Sequence, residues 1–192
     1  MRVLVLLPTY NEIENIEDVL RRTPAALPEG DVLVIDDASP DGTADRAEKL
    51  DEELGGIEVL GRGSKSGLGS AYRAGFRVGL ARGYDVMIEM DSDLSHDPAV
   101  LPDLVAAIEG GADLVIGSRY VPGGSIPDWK FVRRAISRGG GLYARSMLSL
   151  SVHDATAGFR AYHRRVLGLL DLDRIRADGY GFQVEMTYRT ER

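Results

Sequence analysis

Five short apolar runs, each closed by a polar turn and followed by a stretch of helical spacing, constrain this chain more than any other feature. Residues 3–7 are apolar throughout and close at Pro8, as expected of a strand buried on both faces of a parallel sheet. The pattern returns at residues 32–35, 57–60, 86–90 and 114–117. Helices are expected between them over 14–22, 43–54, 67–82 and 98–109. An unbroken alternation of this kind predicts an α/β fold, a doubly wound and mostly parallel sheet whose ligands gather at the carboxyl ends of the strands. Beyond Tyr120 the pattern loosens into Pro122-Gly123-Gly124 and Trp129, with a further helix expected over 131–150.

At 192 residues and 44% hydrophobic content, the chain has enough apolar material for one core, and a single domain is expected. The absence of cysteine excludes disulfides, thiolate ligands and a cysteine nucleophile, and fits a cytosolic chain. The opening run is too short for a signal peptide, and no other stretch approaches the roughly 18 apolar residues of a membrane span. A net charge of −7 argues against nucleic acid as a partner. That charge is uneven. Arg119, Lys130, Arg133, Arg134, Arg138 and Arg145 face one acid, Asp128, in the stretch 119–145. Phe131, Val132, Ile136, Leu142, Tyr143, Met147 and Leu148 are interleaved with them. Such a helix could lie at an anionic membrane surface, or pack into the core.

Three polar clusters fall at expected strand ends, over 8–12, 36–42 and 91–96, and should converge in space. The first holds Pro8-Thr9-Tyr10-Asn11-Glu12 where a dinucleotide site would place its glycines. Around Lys65, Ser64 stands where a phosphate-binding P-loop needs glycine. Lys65 could still meet a diphosphate as a point charge, or be a solvated loop lysine. Asp91 and Asp93 could share one hard divalent cation, Mg²⁺ or Mn²⁺, or serve only as turn formers. Asp37 could accept from a base edge or a ribose hydroxyl, or cap a helix, and Asp41 reads as a turn residue. Tyr10 could stack on a base. Glu12 could bind a nucleoside or act as an acid in the first turn of the next helix. His96 could be a ligand, though it reads better as a cap or surface residue.

Taken in order, these motifs resemble glycosyltransferase family 2, and within it the dolichol-phosphate and polyprenol-phosphate mannose synthases. The blocks that carry the resemblance are Pro8-Thr9-Tyr10-Asn11-Glu12, Asp36-Asp37-x-Ser39-Pro40-Asp41-Gly42-Thr43, Lys65-x-Gly67-Leu68-Gly69-x-Ala71-Tyr72 and Met90-Asp91-x-Asp93-x-x-His96. Gly117-Ser118-Arg119-Tyr120, Asp154-x-Thr156-x-Gly158-Phe159-Arg160-Ala161-Tyr162 and Gly179-Tyr180-x-Phe182-Gln183-x-Glu185 continue it along nearly the whole chain.

The resemblance implies a GT-A fold and an inverting transfer of mannose from GDP-mannose to a polyprenyl or dolichyl phosphate. It implies that Pro8, Tyr10, Glu12, Asp37, Lys65 and Ser92 hold the nucleotide sugar, and that Asp91 and Asp93 hold Mg²⁺ or Mn²⁺ and the diphosphate. Ser95 joins them as a metal residue, although several relatives carry glutamine near that position. Arg119, Arg133 and Ser137 would receive the acceptor phosphate, with Asp93 and Arg119 as the catalytic pair. The place of work would be the cytoplasmic face of a membrane, reached peripherally or through a membrane-anchored partner. Relatives continue beyond the Phe-Gln-x-Glu helix, whereas this chain ends at Arg192, so a catalytic domain over 1–192 lacking a C-terminal segment is expected. The competing readings are a UDP-sugar-dependent glucosyltransferase, a transferase acting on a sugar hydroxyl, and a non-catalytic nucleotide-sugar binding domain. A nucleotidyltransferase would need a Gly- and Arg-rich phosphate loop after the first strand, which the chain does not have there.

Overall fold

Strand β1 (Val3–Thr9) lies at the centre of the sheet, and its side chains divide by parity: Val3, Val5 and Leu7 enter one core layer, Leu4 and Leu6 the other. Because successive side chains of a strand point to opposite faces, a run that is apolar at every position demands cover on both sides. Strand β2 (Gly30–Asp36) divides in the same way, with Val32 and Val34 on the first face and Leu33 and Ile35 on the second. This computed structural model describes residues 1–118, 147–148, 150–152 and 154–192. Arg119, Arg133 and Ser137, with the rest of the basic stretch, lie outside the described residues, as does most of the helix expected over 131–150.

Strands β3 (Ile57–Gly61), β4 (Val86–Glu89), β5 (Leu114–Ile116) and β6 (Arg160–His163) complete a six-stranded sheet in the order β3-β2-β1-β4-β6-β5. The first four run parallel, and β6 pairs antiparallel with both β4 and β5. Helices α1 (Ile16–Ala26), α2 (Thr43–Leu54) and α4 (Leu101–Glu109) cover the first face through Ile16, Val19, Leu20, Ala47, Leu50, Leu104 and Ile108. The second face is covered by α3 (Leu68–Ala81), α5 (Arg164–Leu169) and α6 (Tyr180–Thr190), through residues such as Tyr72, Phe76, Val166, Phe182 and Met186. The α/β, mostly parallel sheet is thus the one expected. Among the described residues no helix is long and apolar enough to cross a membrane.

Several boundaries differ from expectation. β1 continues through Pro8 to Thr9, because β4 has ended beside Leu6 and only β2 is paired with these last two residues. α1 runs past Arg22 to Ala26 with Pro24 inside it, which removes one intrahelical bond near the end, while the Thr23 hydroxyl donates to Val19 O at 2.8 Å. The segment expected as one helix over 98–109 opens with a 3-10 turn, Pro98–Val100, capped by the Asp97 carboxylate accepting from Ala99 N–H. β6 has no counterpart in the expected pattern. It opens with Arg160, a charged side chain that is fully buried. Its guanidinium donates to Ala155 O, Ala157 O, Gln183 O and the Thr187 hydroxyl at 2.6 to 3.0 Å, so no donor group is stranded by burial at those contacts.

Candidate active site

The carboxyl ends of β1, β2 and β4 meet at one rim, and their polar turns are tied to one another. Asp37 N–H donates to Thr9 O at 3.1 Å, and the Thr9 hydroxyl donates to Asp36 Oδ1 at 2.9 Å. The Ser39 hydroxyl also donates to Asp36 Oδ1, and it accepts from Asn11 N–H at 3.0 Å. Asp36 is therefore a structural knot beneath the rim. Asp41 takes the turn role expected of it, accepting from Thr43 N–H, the Thr43 hydroxyl and Ile13 N–H.

Asp37 points a different way. It is buried, and one oxygen accepts from Ser66 N–H at 3.1 Å. Its other oxygen lies 3.1 Å from the Arg62 Nη1 as an ion pair, without the alignment of a hydrogen bond. Arg62 itself is anchored by Nη2 donating to the Ser70 hydroxyl at 2.8 Å and by its N–H donating to Asp36 O. Sequence reasoning missed Arg62: it follows β3 alone, and only folding brings it beside Asp37.

Tyr10 is exposed, and Lys65 Nζ sits 3.9 Å above its ring. Lys65 is thus held at the rim by an aromatic face, worth about 0.5–1 kcal/mol at an exposed site. Glu12 precedes α1; its Oε2 accepts from Asn15 Nδ2 at 3.1 Å and its N–H donates to the Thr43 hydroxyl. Ser92 is buried, and its hydroxyl donates to Pro8 O at 2.9 Å, closing β1 against the turn after β4.

That turn carries the acidic pair. Asp91 is partly exposed; Oδ1 accepts from the Tyr72 hydroxyl at 3.2 Å, and its N–H donates to His96 Nδ1 at 3.1 Å. His96 is neither a cap nor a surface residue. Its ring stacks on Phe159 with centroids 5.0 Å apart, and Nε2 stands 3.8 Å from Asp91 Oδ2. Burial, then the Asp91 charge beside it, pushes the Tyr72 phenol well above its ordinary value, so it remains a donor. Asp93 is exposed and Oδ1 accepts from Ser95 N–H at 2.9 Å, with Leu94 between them in a left-handed conformation, φ 63°. Ser95 is exposed beside it. A cleft of about 290 Å³ lined by Asp31, Asp51, Glu58, Arg82 and Tyr84 lies at the opposite, amino-terminal end of the strands, away from this rim.

A strand-end rim with an aromatic side chain, a buried carboxylate beside an arginine, and a second pair of carboxylates is suited to a nucleoside diphosphate. The family model described as glycosyl transferase family 2 matches residues 4–170. The chain belongs to glycosyltransferase family 2. This family 2 transferase is 56% identical over 192 residues to the undecaprenyl-phosphate mannosyltransferase of Micrococcus luteus, covering all of this chain and 79% of that relative. It is 48% identical over 189 residues to the polyprenol monophosphomannose synthase of Mycolicibacterium smegmatis, covering 98% of this chain and 71% of that relative. The fold of the transferase also superposes on the glucosyl-3-phosphoglycerate synthase of Mycobacterium tuberculosis in complex with uridine diphosphate. The TM-score is 0.69 at 25% identity, over 96% of this chain. The transferase spans 63% of that structure's length.

Proposed function

We propose that this family 2 transferase moves mannose from GDP-mannose to a polyprenyl phosphate with inversion at the anomeric carbon. The observation that carries the reading is 56% identity along the whole chain to a relative named for mannose transfer to undecaprenyl phosphate. The rim supports it. Tyr10 offers a face for the base, Asp37 a buried carboxylate for base or ribose, and Asp91 and Asp93 stand where the diphosphate would follow.

In this reading an acceptor phosphate oxygen forms a bond to the anomeric carbon as the bond to the GDP β-phosphate oxygen breaks, and GDP leaves with the electron pair. A phosphate monoester has a second pKa of about 6 and is already largely ionised near neutrality, so the attacking oxygen needs no general base. The protein's part is to hold two polyanions in line and offset their charge. Arg119, Arg133 and Ser137 are the proposed acceptor-phosphate residues, and Lys65, over the Tyr10 ring, is the proposed cation on the donor side.

Mg²⁺ or Mn²⁺ is part of the proposal. The donor set is all oxygen, which suits a hard cation. Among the described residues no three acidic, imidazole or thiol side chains are grouped to hold an ion alone. Asp91 and Asp93, with Ser95 beside them, would hold the cation and leave positions for the donor phosphates, the usual arrangement for Mg²⁺. When bound, the cation would shield charge on the departing diphosphate. The proposed site of action is the surface of a membrane, on its cytoplasmic face, where the lipid acceptor resides.

The test is transfer of radiolabelled mannose from GDP-mannose to a short polyprenyl phosphate in detergent, with Mg²⁺ or Mn²⁺ and an EDTA control, beside UDP-glucose. Metal-dependent labelling of the lipid from GDP-mannose is the expected result. Labelling from UDP-glucose alone would replace the donor, and nucleotide binding without transfer would favour a binding domain.

A further inference from the structure

Tyr72 lies in the second turn of α3, and its side chain is fully buried. Its ring is stacked between Phe76 and Phe182, with centroids 6.5 and 6.1 Å away and interplanar angles of 27° and 13°. Such a ring has little freedom left to lose, and its hydroxyl donates to Asp91 Oδ1 at 3.2 Å. From the other side the Asp91 N–H is taken by His96 Nδ1, and the imidazole is itself held flat against Phe159. Asp91 is therefore oriented from two directions by groups that are packed in place. Its second oxygen, Oδ2, faces Gly158, where an ideal Cβ would come within 3.4 Å of it. His96 Nε2 stands 3.8 Å from the same oxygen.

Resting on the metal-assisted reading above, we propose that Tyr72 is a positioning residue for the donor site, fixing Asp91 so that Oδ2 rather than Oδ1 is presented to the cation and diphosphate. A carboxylate whose one oxygen is engaged by a phenol presents the other with a defined direction, and a ligand held in this way need not be ordered when the ion binds. Phenylalanine keeps the ring and its stacking while deleting the hydroxyl.

Tyr72→Phe is accordingly the test, read by direct titration of Mn²⁺ in the presence of GDP, following the free ion by electron paramagnetic resonance, and by the Mn²⁺ dependence of transfer. The expected result is a Mn²⁺ affinity weaker by about 10- to 100-fold, the usual effect of losing an outer partner of a metal ligand, with GDP binding in EDTA unchanged. In an Asp91→Asn background the same substitution should add nothing. Phe182→Leu, which loosens the ring but keeps the hydroxyl, serves as the packing control and should weaken Mn²⁺ affinity by clearly less than Tyr72→Phe does. Unchanged Mn²⁺ affinity in Tyr72→Phe would overturn the assignment. So would an equal loss in the Asp91→Asn background or in Phe182→Leu. If the unsubstituted chain with GDP takes up no Mn²⁺, the metal reading itself falls, and this assignment falls with it.

Discussion

Gln183 on α6 donates through Nε2 to Oε2 of Glu89, the last residue of β4, at 2.7 Å. Both side chains are buried, so the strand that leads into the Asp91 turn is tied to the last helix of the chain by a contact shielded from water. Burial pushes the Glu89 carboxyl up to about 8, against the opposing charge of Arg160 and the Gln183 hydrogen bond, with Asp91 adding a further push upward. Between the ordinary value of 4.5 and about 8, the folded chain keeps a proton here that the unfolded chain has lost. This group's contribution to stability therefore falls as pH rises through that window and levels off above it. At about 1.4 kcal/mol per unit the effect is on the order of a few kcal/mol. Glu89→Gln, which cannot ionise, should flatten that slope in urea denaturation measured across the window.

Asp93→Ala should lower mannose transfer by at least about a hundredfold while leaving the fold intact, because the side chain is exposed and its bond within the fold is to the Ser95 N–H. Removing metal with EDTA should reproduce the loss in the unsubstituted chain and change little in the variant. Full turnover of the variant at saturating Mn²⁺ would remove Asp93 from the catalytic role.

Arg62→Ala should weaken GDP binding and stability together. The substitution leaves the Asp37 carboxylate buried without its facing charge, and breaking such a pair costs on the order of 3–5 kcal/mol. Arg62→Lys keeps the charge but not the guanidinium fork that also reaches the Ser70 hydroxyl, so it should recover only part of the loss. Calorimetric titration with GDP and thermal melting separate the two effects.

Gly67→Ala should cost about 1–3 kcal/mol in thermal melts from backbone strain alone, since the position has φ +87° and ψ 155°, a region open in practice to glycine. A Cβ there would also stand 2.1 Å from Asp178 Oδ2, and Asp178 Oδ1 accepts from Gly69 N–H at 2.7 Å at the start of α3. Adding Asp178→Ala should relieve the clash and leave the backbone cost, so the two changes should be less than additive.

The parallel strands are legible in the sequence because burial on both faces demands an apolar residue at every position, as in residues 3–7 and 32–35. α2 falls where expected, at Thr43–Leu54, between the left-handed Gly42 and Gly55. β6 escapes that logic. Arg160 and Tyr162 look like loop residues until folding supplies carbonyls for the guanidinium and Phe76 for the tyrosine ring. The rim divides in the same manner. Tyr10, Asp37, Asp91 and Asp93 are legible because each follows an apolar run at a strand end. Arg62 and Tyr72 become part of it through contacts across 25 and 19 residues, which no local pattern records.

β6 also acts as a spacer. Lying between β4 and β5, it sets two strand separations, about 10 Å, between the strand that leads into the Asp91 turn and the strand that leads into Ser118. The proposed donor side of the rim and the chain running toward the proposed acceptor residues are thus mounted on separate supports. Selection can reshape one mount for a new acceptor while the residues proposed to grip the nucleotide stay as they were.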